Sequence, residues 1–541
     1  MTDALPPTDV TPPVDISRPG DATGVRALWS FTGKYRILHL TWIAFFLSFV
    51  VWFNYAPFAN TIATQLGLSD AEKKTIALCN VALTIPARIF IGMALDRWGP
   101  RRVYAAILMF AVIPNTIFAL SSSFSTLVLS RLALSVVGAG FVVGIRMVSE
   151  WFPPSEVGTA EGVYGGWGNF GAAAAAFSLP LFAGLFATLL GSDDGWRWSI
   201  LLTGIIAAAY GAYYLTAVTD TPEGVSYVKP RRQGALEVTN RKAVFGLAAM
   251  TIPVNAALGL IAWRLWRVDV ISTPLFVAVL VAVMALLVVQ ELTVFKVNRP
   301  AMADSYAPED QYPFRSVAVL SIAYFATFGS ELAVVSMLPG FFEETWGLGP
   351  SAAGIAASGF AFVNLAARPA GGIMSDRLGS RRHTLTLITI GLLVGYVLLS
   401  TMGAAWPWAL AVVACMVCSF FVQAGAGAVF AVVPLVKKRV SGQIAGMAGA
   451  YGNIGGVAFL TVGLFVSTQV FFLTIAGAAV VALIASLFLV EPAESFATEL
   501  QTDHVGADTE PSSGAHPAAV HPLPSGSPVP AAIVAATASP S

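Results

Sequence analysis

An arginine within an apolar run occurs twice in this chain of 541 residues, at Arg88 and Arg368. Each arginine stands a few residues ahead of a loop with the same pattern of glycine, aspartate and arginine. The matching positions, always 280 residues apart, are Ala87, Arg88, Gly92, Asp96, Arg97, Gly99, Arg101 and Arg102 with Ala367, Arg368, Gly372, Asp376, Arg377, Gly379, Arg381 and Arg382. One half of the chain therefore repeats the other, which predicts a fold of two related halves.

The composition requires a membrane around these halves. Hydrophobic residues make up 56% of the chain and charged residues only 11%, with a mean hydropathy of +0.74. A net charge of zero favours no nucleic-acid partner. Three cysteines and five histidines are too few and too scattered for a disulfide framework or a metal centre, so we expect no cofactor, no bound metal and no enzyme activity.

Twelve apolar segments are long enough to cross a bilayer, six in each half. The sequence predicts an N-terminal six-helix bundle over 36–218 and a C-terminal six-helix bundle over 316–490. Residues 1–35 are predicted to be a cytoplasmic segment, and residues 491–541 a disordered cytoplasmic tail. The predicted spans are 36–64, 75–95, 103–120, 124–146, 160–189, 198–218, 316–340, 351–374, 384–403, 407–435, 442–466 and 469–490.

A central linker over 219–315 carries two further apolar runs, 244–265 and 270–290. Two added spans leave the orientation of the second half unchanged. The connector between them contains Arg264 and Arg267, which suit an outer face poorly, so a shallow interfacial hairpin stays open as an alternative.

Basic residues are concentrated in one set of loops, and acidic residues in the opposite set. By the positive-inside rule the basic loops are cytoplasmic, and so are both termini. The basic loops carry Arg97, Arg101, Arg102, Arg377, Arg381, Arg382, Lys437, Lys438 and Arg439, and the opposite loops carry Asp193, Asp194, Glu343 and Glu344.

The two buried arginines predict an anion between the halves. An ionised arginine in hydrocarbon is costly unless it faces a cavity or a partner. Guanidinium groups offer planar, forked donors that match a planar oxyanion, and they stay charged at any physiological pH. The alternative is that Arg88 and Arg368 bond to backbone carbonyls or to a distant glutamate.

The repeated loops resemble the cytoplasmic signature of the major facilitator superfamily. That resemblance implies an all-α polytopic membrane protein with the major facilitator fold: two pseudo-symmetric six-helix bundles, 12 core transmembrane helices, and here a central two-helix insert. It also implies a charge relay that stabilises the outward-open state, formed by Asp96, Arg97, Arg101, Asp376, Arg377 and Arg381. Simple positive-inside anchoring would explain the arginines but not the ordered glycine and aspartate.

A second repeated block, Gly165–Gly171 and Gly449–Gly455, resembles the paired nitrate signatures of the nitrate/nitrite porter family (NarK/NrtP type). The resemblance implies import of nitrate and nitrite across the plasma (inner) membrane by alternating access, within the lipid bilayer; we expect a monomer. The implied substrate-binding residues are Arg88, Arg368, Asn169, Asn453, Phe49, Phe141, Tyr324 and Phe328. For each aromatic residue, ordinary helix packing stays an equal alternative.

An anion that enters against an inside-negative potential needs a driving force, and proton symport supplies one. Glu331 is the proton-coupling candidate because it lies in an otherwise uncharged span, two turns from Tyr324 on the same face. Glu161 is a weaker candidate. Alternatively, Glu331 reaches the outer interface or pairs with a base such as Arg131. Nitrate/nitrite antiport and a facilitator for formate- or oxalate-like carboxylates also stay open.

Overall fold

The computed structural model describes residues 25–498, apart from 233, 268–270, 304–305, 464 and 494. Within that range the regular structure is entirely helical. A short 3-10 turn, Val25–Trp29, precedes the first long helix. Most of the predicted N-terminal segment and the tail beyond 498 lie outside the described residues.

The first half contains the six predicted spans, four of them divided into two consecutive helices. The interruptions fall where a proline, a glycine or a change of direction breaks the backbone pattern. The helices are α1 Gly33–Phe53, α2 Ala59–Leu66, α3 Asp70–Ala82, α4 Thr84–Trp98, α5 Pro100–Ala119, α6 Phe124–Leu134, α7 Gly140–Trp151, α8 Pro154–Asn169, α9 Gly171–Leu190 and α10 Gly195–Ala217.

The central linker contains two long helices and one short one: α11 Arg241–Arg267, α12 Thr273–Val297 and α13 Arg299–Met302. With 27 and 25 residues, α11 and α12 are each long enough to cross a membrane. Polar side chains join the pair within these apolar helices: Asn255 donates to Gln290 at 2.7 Å, and Thr251 donates to Glu291.

The second half repeats the first. Its helices are α14 Phe314–Trp346, α15 Pro350–Phe362, α16 Asn364–Arg377, α17 Arg381–Leu399, α18 Trp408–Val436, α19 Ser441–Val462 and α20 Thr468–Ser486. Among the described residues, 12 helical segments have the length and hydropathy of membrane spans. Two of these are α11 and α12. The divided pair α15–α16 and the glycine-rich α19, which occupy the predicted spans 351–374 and 442–466, are additional to the 12. The chain is a multi-pass membrane protein.

The repeat in sequence is also a repeat in structure at the two arginines. The helix that carries Arg88 is interrupted at Leu83, and the helix that carries Arg368 is interrupted at Val363, 280 residues further on. Each arginine therefore occupies the second turn of a helix that restarts inside the bundle. Broken helices at a repeat interface are typical of transporter binding sites.

Glycines bring the two halves together around these helices. A Cβ atom at Gly162 of α8 would lie 2.7 Å from the backbone oxygen of Arg368, and one at Gly446 of α19 would lie 2.5 Å from that of Arg88. Both distances are too short for a side chain, so only glycine permits the close approach. Each half thus packs a glycine-rich helix against the arginine-bearing helix of the other half.

Candidate functional site

Arg88 lies fully buried where α4, α7 and α19 meet. Its Nη1 donates to the carbonyl oxygen of Gly449 at 2.7 Å. The amide oxygen of Asn453, in the orientation that gives both amide atoms suitable partners, accepts from Nε and Nη1 of Arg88, each at 3.2 Å. Among the described residues no carboxylate forms an ion pair with Arg88, so its charge is balanced only by dipoles.

Arg368 occupies the related position but has a carboxylate partner. Its Nη2 donates to Oε2 of Glu331 at 2.8 Å, and its Nε donates to Oε1 of Gln423 at 3.2 Å. Asn169 and Asn364 both donate to Oε1 of Glu331, at 2.9 and 3.2 Å. Glu331 therefore pairs with Arg368, and neither with Arg131 nor with the outer interface; it is 6% exposed.

These contacts include both parts of the alternative that the sequence left open, a backbone carbonyl at one arginine and a distant glutamate at the other. The two arginines are therefore related by the repeat in position but not in partners. The neighbouring Arg131 bonds instead to Asn54 Oδ1 at 2.9 Å and to the carbonyl oxygen of Trp52 at 3.1 Å.

Aromatic rings lie beside the two guanidinium groups and contact both of them. The ring centroid of Phe328 lies 5.2 Å from Cζ of Arg88 and 5.6 Å from Cζ of Arg368, so one ring contacts both cations. Tyr324 stacks parallel to Phe328 at 5.0 Å and to Phe141 at 6.3 Å. Phe141 also lies 5.5 Å from Cζ of Arg88. The three parallel rings line one side of the region beside the two arginines, and this region is here named the slot.

The structure brings most of the predicted site residues together and leaves one at the edge. Phe49 packs on Phe45 at 4.4 Å, and Phe45 in turn packs on Phe141 at 5.3 Å, so two rings separate Phe49 from Arg88. Phe430 meets both Phe141 and Tyr324 edge-on, at 4.7 and 4.8 Å, and closes the slot.

Sequence reasoning missed Phe430, Gln423 and Asn364 at this site. Gln423 lies in the segment Gln423-Ala424-Gly425, which belongs to the resemblance but carried no assigned role. A polar side chain in a span that is otherwise apolar was the available signal. Asn364 stands four residues before Arg368, one helical turn away, which was a second signal.

The aspartates of the repeated loops cap helices of the opposite half. Asp96 accepts from the backbone amides of Gly442 and Gln443 at 3.1 and 2.9 Å, at the start of α19. Asp376 accepts from the amides of Gly158 and Thr159 at 3.0 and 2.6 Å, in the first turns of α8. At α19 the carboxylate satisfies free amides of the first turn and interacts favourably with the helix dipole, whereas at α8 it bonds to amides of the second turn. Both caps lie at one end of the bundle, here named the basic end.

The arginines of the predicted relay do not all join these aspartates. Arg381 pairs with Asp376 at 2.9 Å, but Arg101 instead donates from Nε to the carbonyl oxygen of Leu215. Arg97 stacks on Trp98, and neither Arg97 nor Arg377 forms an ion pair within the described range. Of the residues predicted for the relay, only Asp376 and Arg381 form an ion pair within the described range. Next to Asp96 the cation is Arg146, which pairs with Glu150 at 2.8 Å and donates to Ser441 at 2.6 Å.

Each half also closes its own basic end with an acid after its last helix. Asp220 accepts from the amide of Arg101 at 2.7 Å, and Glu491 accepts from the amides of Arg381 and Arg382 at 2.8 and 3.2 Å. Burial raises the pKa of Asp220, and the amide and charge of Arg101 oppose that change. The ordered chain thus extends beyond 490, where the sequence predicted a disordered tail, because Glu491 caps α17.

Known membrane proteins share the fold of this chain. The family model of the Major Facilitator Superfamily matches residues 41–305 and 320–534. Among solved structures, the proton:xylose symporter XylE aligns with a TM-score of 0.56 at 13% identity, over 86% of this chain and 97% of that one. A human organic anion transporter aligns with a TM-score of 0.55 at 14% identity, over 84% and 100% of the two chains. At such identities the likeness concerns the fold.

Similarity to curated sequences is much stronger. The chain is 51% identical to the nitrate/nitrite transporter NrtP of Picosynechococcus sp., over 80% of this chain and 86% of the relative. It is 46% identical to NrtP of Nostoc punctiforme, over 87% and 96%. It is 30% identical to the high affinity nitrate transporter 2.7 of Arabidopsis thaliana, over 84% and 82%. The chain therefore belongs to the major facilitator superfamily and, within it, to the NrtP-type family of nitrate/nitrite transporters.

Proposed function

We propose that this protein transports nitrate and nitrite across the membrane by alternating access, with Arg88 and Arg368 as the anion-binding pair. The observation that carries the proposal is a slot lined by stacked rings between two buried arginines, one from each half. An anion held by both arginines would interact with both halves at once. Its binding is thereby linked to the movement of one half against the other.

The chemistry of the slot favours a small planar monoanion. The ring of Tyr324 is parallel to that of Phe328 and to that of Phe141, each to within 2°, which suits a flat guest beside them. Guanidinium groups donate in the plane of an oxyanion. A tetrahedral dianion such as sulfate is thicker and more strongly hydrated, so the same slot disfavours it.

The capped helices at the basic end support the proposed direction of opening. Asp96 and Asp376 each tie one half to the other there, so this conformation is closed at the basic end. We assign the basic end to the cytoplasm from the positive loops, and the state to the outward-facing side of the cycle. Both termini are then cytoplasmic, and we assign the protein to the plasma (inner) membrane as a monomer.

Glu331 provides a route for proton coupling. When ionised, its carboxylate occupies Nη2 of Arg368 at 2.8 Å and competes with the transported anion for that donor. Protonation of Glu331 frees Arg368, and nitrate then replaces the lost negative charge. One proton therefore accompanies each anion, and the charge of the site is unchanged. Asn169 and Asn364 position the Glu331 carboxyl for this exchange.

Two other functions are compatible with a pair of arginines. Nitrate/nitrite antiport requires no titrating group, and a facilitator for formate- or oxalate-like carboxylates would use the same guanidinium forks. The ion pair of Glu331 with Arg368 favours symport over antiport, because a carboxylate on a substrate-binding arginine makes anion binding depend on protonation.

Purified protein in proteoliposomes tests the proposal. Nitrate uptake is measured with a proton gradient alone, with a nitrite gradient alone, and with neither. Symport predicts uptake with the proton gradient and no need for internal nitrite. Competition by nitrite and chlorate, with little effect of formate or sulfate, supports the planar slot. Nitrate uptake that occurs only with nitrite inside the vesicles would establish antiport. Competition by formate that is stronger than that by nitrite would establish a carboxylate facilitator.

A further inference from the structure

A second buried acid lies between the arginines and the basic end. Glu161 of α8 is 2% exposed, and among the described residues neither of its carboxyl oxygens has a hydrogen-bond partner. An ionised carboxylate without partners in a protein interior is strongly unfavourable, by several kcal/mol or more. Glu161 therefore carries a proton in this conformation.

The charged groups on the helices around α8 are all engaged elsewhere or exposed. α8 packs against α1, α7, α9, α16 and α18, and α9 and α18 contain no charged residue. Arg36 and Arg377 are exposed. His39 accepts from Trp42 at its Nδ1 at 2.9 Å, and its buried Nε2 has no hydrogen-bond partner among the described residues; its ring stacks on Phe31 and Trp167, and no hydrogen bond joins it to Glu161. The remaining groups form the pairs Lys34–Glu156, Arg146–Glu150, Arg368–Glu331 and Arg381–Asp376. Within the described part of the chain, no base forms an ion pair with Glu161.

Glu161 is also placed along the proposed path. Gly158, three residues before it, contacts Asp376 at the basic end. Gly165, four residues after it, faces the site: a Cβ there would lie 3.5 Å from Nη1 of Arg368 and 3.8 Å from the Phe141 ring. Glu161 shares that stripe of α8 and lies about 6 Å along the helix axis from Gly165, toward the basic end.

We propose that Glu161 is a second proton-binding site on the cytoplasmic half of the transport path. It keeps its proton while the basic end is closed, because the surroundings exclude water. When the helix caps open and water enters, the carboxyl ionises and its proton goes to the cytoplasm. After the basic end closes again, the carboxylate takes its next proton from the outer side through the arginine site, so that one further proton crosses the membrane in each cycle. The inference rests on the proposed function, and it adds a proton to the one that Glu331 binds.

The extra proton changes the energetics of uptake. With Glu331 alone, one proton enters with one monoanion and the membrane potential does no work. With Glu161 as well, each cycle moves one net positive charge inward, so the inside-negative potential drives nitrate uptake. The ionised Glu161 would also repel an anion that returns toward the site from the cytoplasm.

The test measures how many protons move with each nitrate in proteoliposomes. A fixed nitrate gradient is imposed, and the proton gradient or voltage at which net nitrate flux stops gives this ratio. Glu161→Gln keeps the size of the neutral side chain and is expected to lower the ratio by one, with nitrate counterflow within about twofold of wild type. Glu161→Asp retains a carboxyl and should restore the wild-type ratio. Glu156→Gln, an exposed acid in the first turn of the same helix, is the matched control and should leave the ratio unchanged.

An unchanged proton-to-nitrate ratio in Glu161→Gln would overturn the inference. The proposed function would stand in that case, because nitrate counterflow supports it independently. Equal ratios in the aspartate and glutamine variants, both below wild type, would also overturn it, because a packing defect and not ionisation would then be the cause. Absence of nitrate counterflow in the wild-type protein would refute the proposed function itself, and this inference with it.

Discussion

Replacing Glu331 by glutamine should remove the pH dependence of nitrate binding and strengthen binding at alkaline pH. In the wild-type protein an ionised Glu331 holds Nη2 of Arg368 at 2.8 Å, with Arg368 itself buried. Nitrate can reach this donor of Arg368 only by displacing the carboxylate or after the carboxylate has taken up a proton. Wild-type affinity therefore falls as pH rises, whereas glutamine reproduces the protonated, neutral form at every pH.

The size of the effect follows from the bond that nitrate has to replace. A buried hydrogen bond between charged groups contributes about 1.5–3 kcal/mol net. Since each 1.4 kcal/mol is tenfold in affinity, Glu331→Gln should bind nitrate about 10- to 100-fold more tightly than wild type at alkaline pH. The difference between the two proteins should disappear under conditions in which the wild-type carboxyl is neutral, because glutamine is its neutral counterpart.

Calorimetric titration of nitrate into purified protein, at a series of pH values from acid to alkaline, measures this difference. Glu150→Gln is the control because Glu150 is also buried and ion-paired, with Arg146 at 2.8 Å, but belongs to the basic end. Its pH profile should match that of wild type. If Glu331→Gln kept the wild-type pH profile, or bound nitrate more weakly at every pH, the competition between Glu331 and nitrate for Arg368 would be refuted.

Three further predictions concern the slot and the basic end. Arg88→Lys and Arg368→Lys should each weaken nitrate binding about 10- to 100-fold by calorimetry, because an ammonium group lacks the planar fork. Phe328→Ala should weaken it about tenfold or more, since one ring contacts both guanidinium groups. Asp96→Asn should destabilise the closed basic end by about 1–2 kcal/mol. The carboxylate accepts from two backbone amides, including that of Gly442, whereas an asparagine side chain has a single acceptor oxygen. A cysteine introduced in the cytoplasmic path should then be alkylated faster than in the wild-type background.

The controls for these variants are equally specific. Phe325→Ala alters the same helix, but Phe325 packs on Phe459 at 5.2 Å, so nitrate affinity should be unchanged. Full nitrate affinity in either lysine variant would contradict the proposal that the two guanidinium groups bind the anion. If the Phe328→Ala protein bound nitrate as tightly as wild type, the Phe328 ring would contribute to helix packing and not to nitrate binding. Unaltered cysteine alkylation in Asp96→Asn would show that the Asp96 cap does not govern opening.

The repeat made the architecture predictable from the sequence. Its offset aligned Arg88 with Arg368, and the structure interrupts their helices at Leu83 and Val363 with the same offset. The apolar runs predicted the spans within a few residues of the observed helices. Partners could not be predicted in this way, because a repeat specifies equivalent positions and not the contacts that cross between halves.

The basic end illustrates that limit. The loop motif led us to expect Asp96 and Arg101 in one relay, but Arg101 bonds within its own half, and Asp96 caps α19 of the other half. A capping carboxylate requires a helix N-terminus nearby in space, and Gly442 is 346 residues away in sequence. No local pattern carries that information. The same is true of Glu331, whose partner Arg368 lies on a different helix.

The asymmetry between the two arginines bears on the order of binding. The described partners of Arg88 are neutral acceptors, the carbonyl oxygens of Gly449 and Gly138 and the amide of Asn453, so Arg88 presents an unbalanced charge to an entering anion. Arg368 is balanced by Glu331 until that carboxyl takes a proton. An anion should therefore contact Arg88 first, and engagement of Arg368 should follow protonation. Because both halves are joined only after this second step, closure around the anion would require the proton, and an unprotonated site would hold nitrate on one half alone.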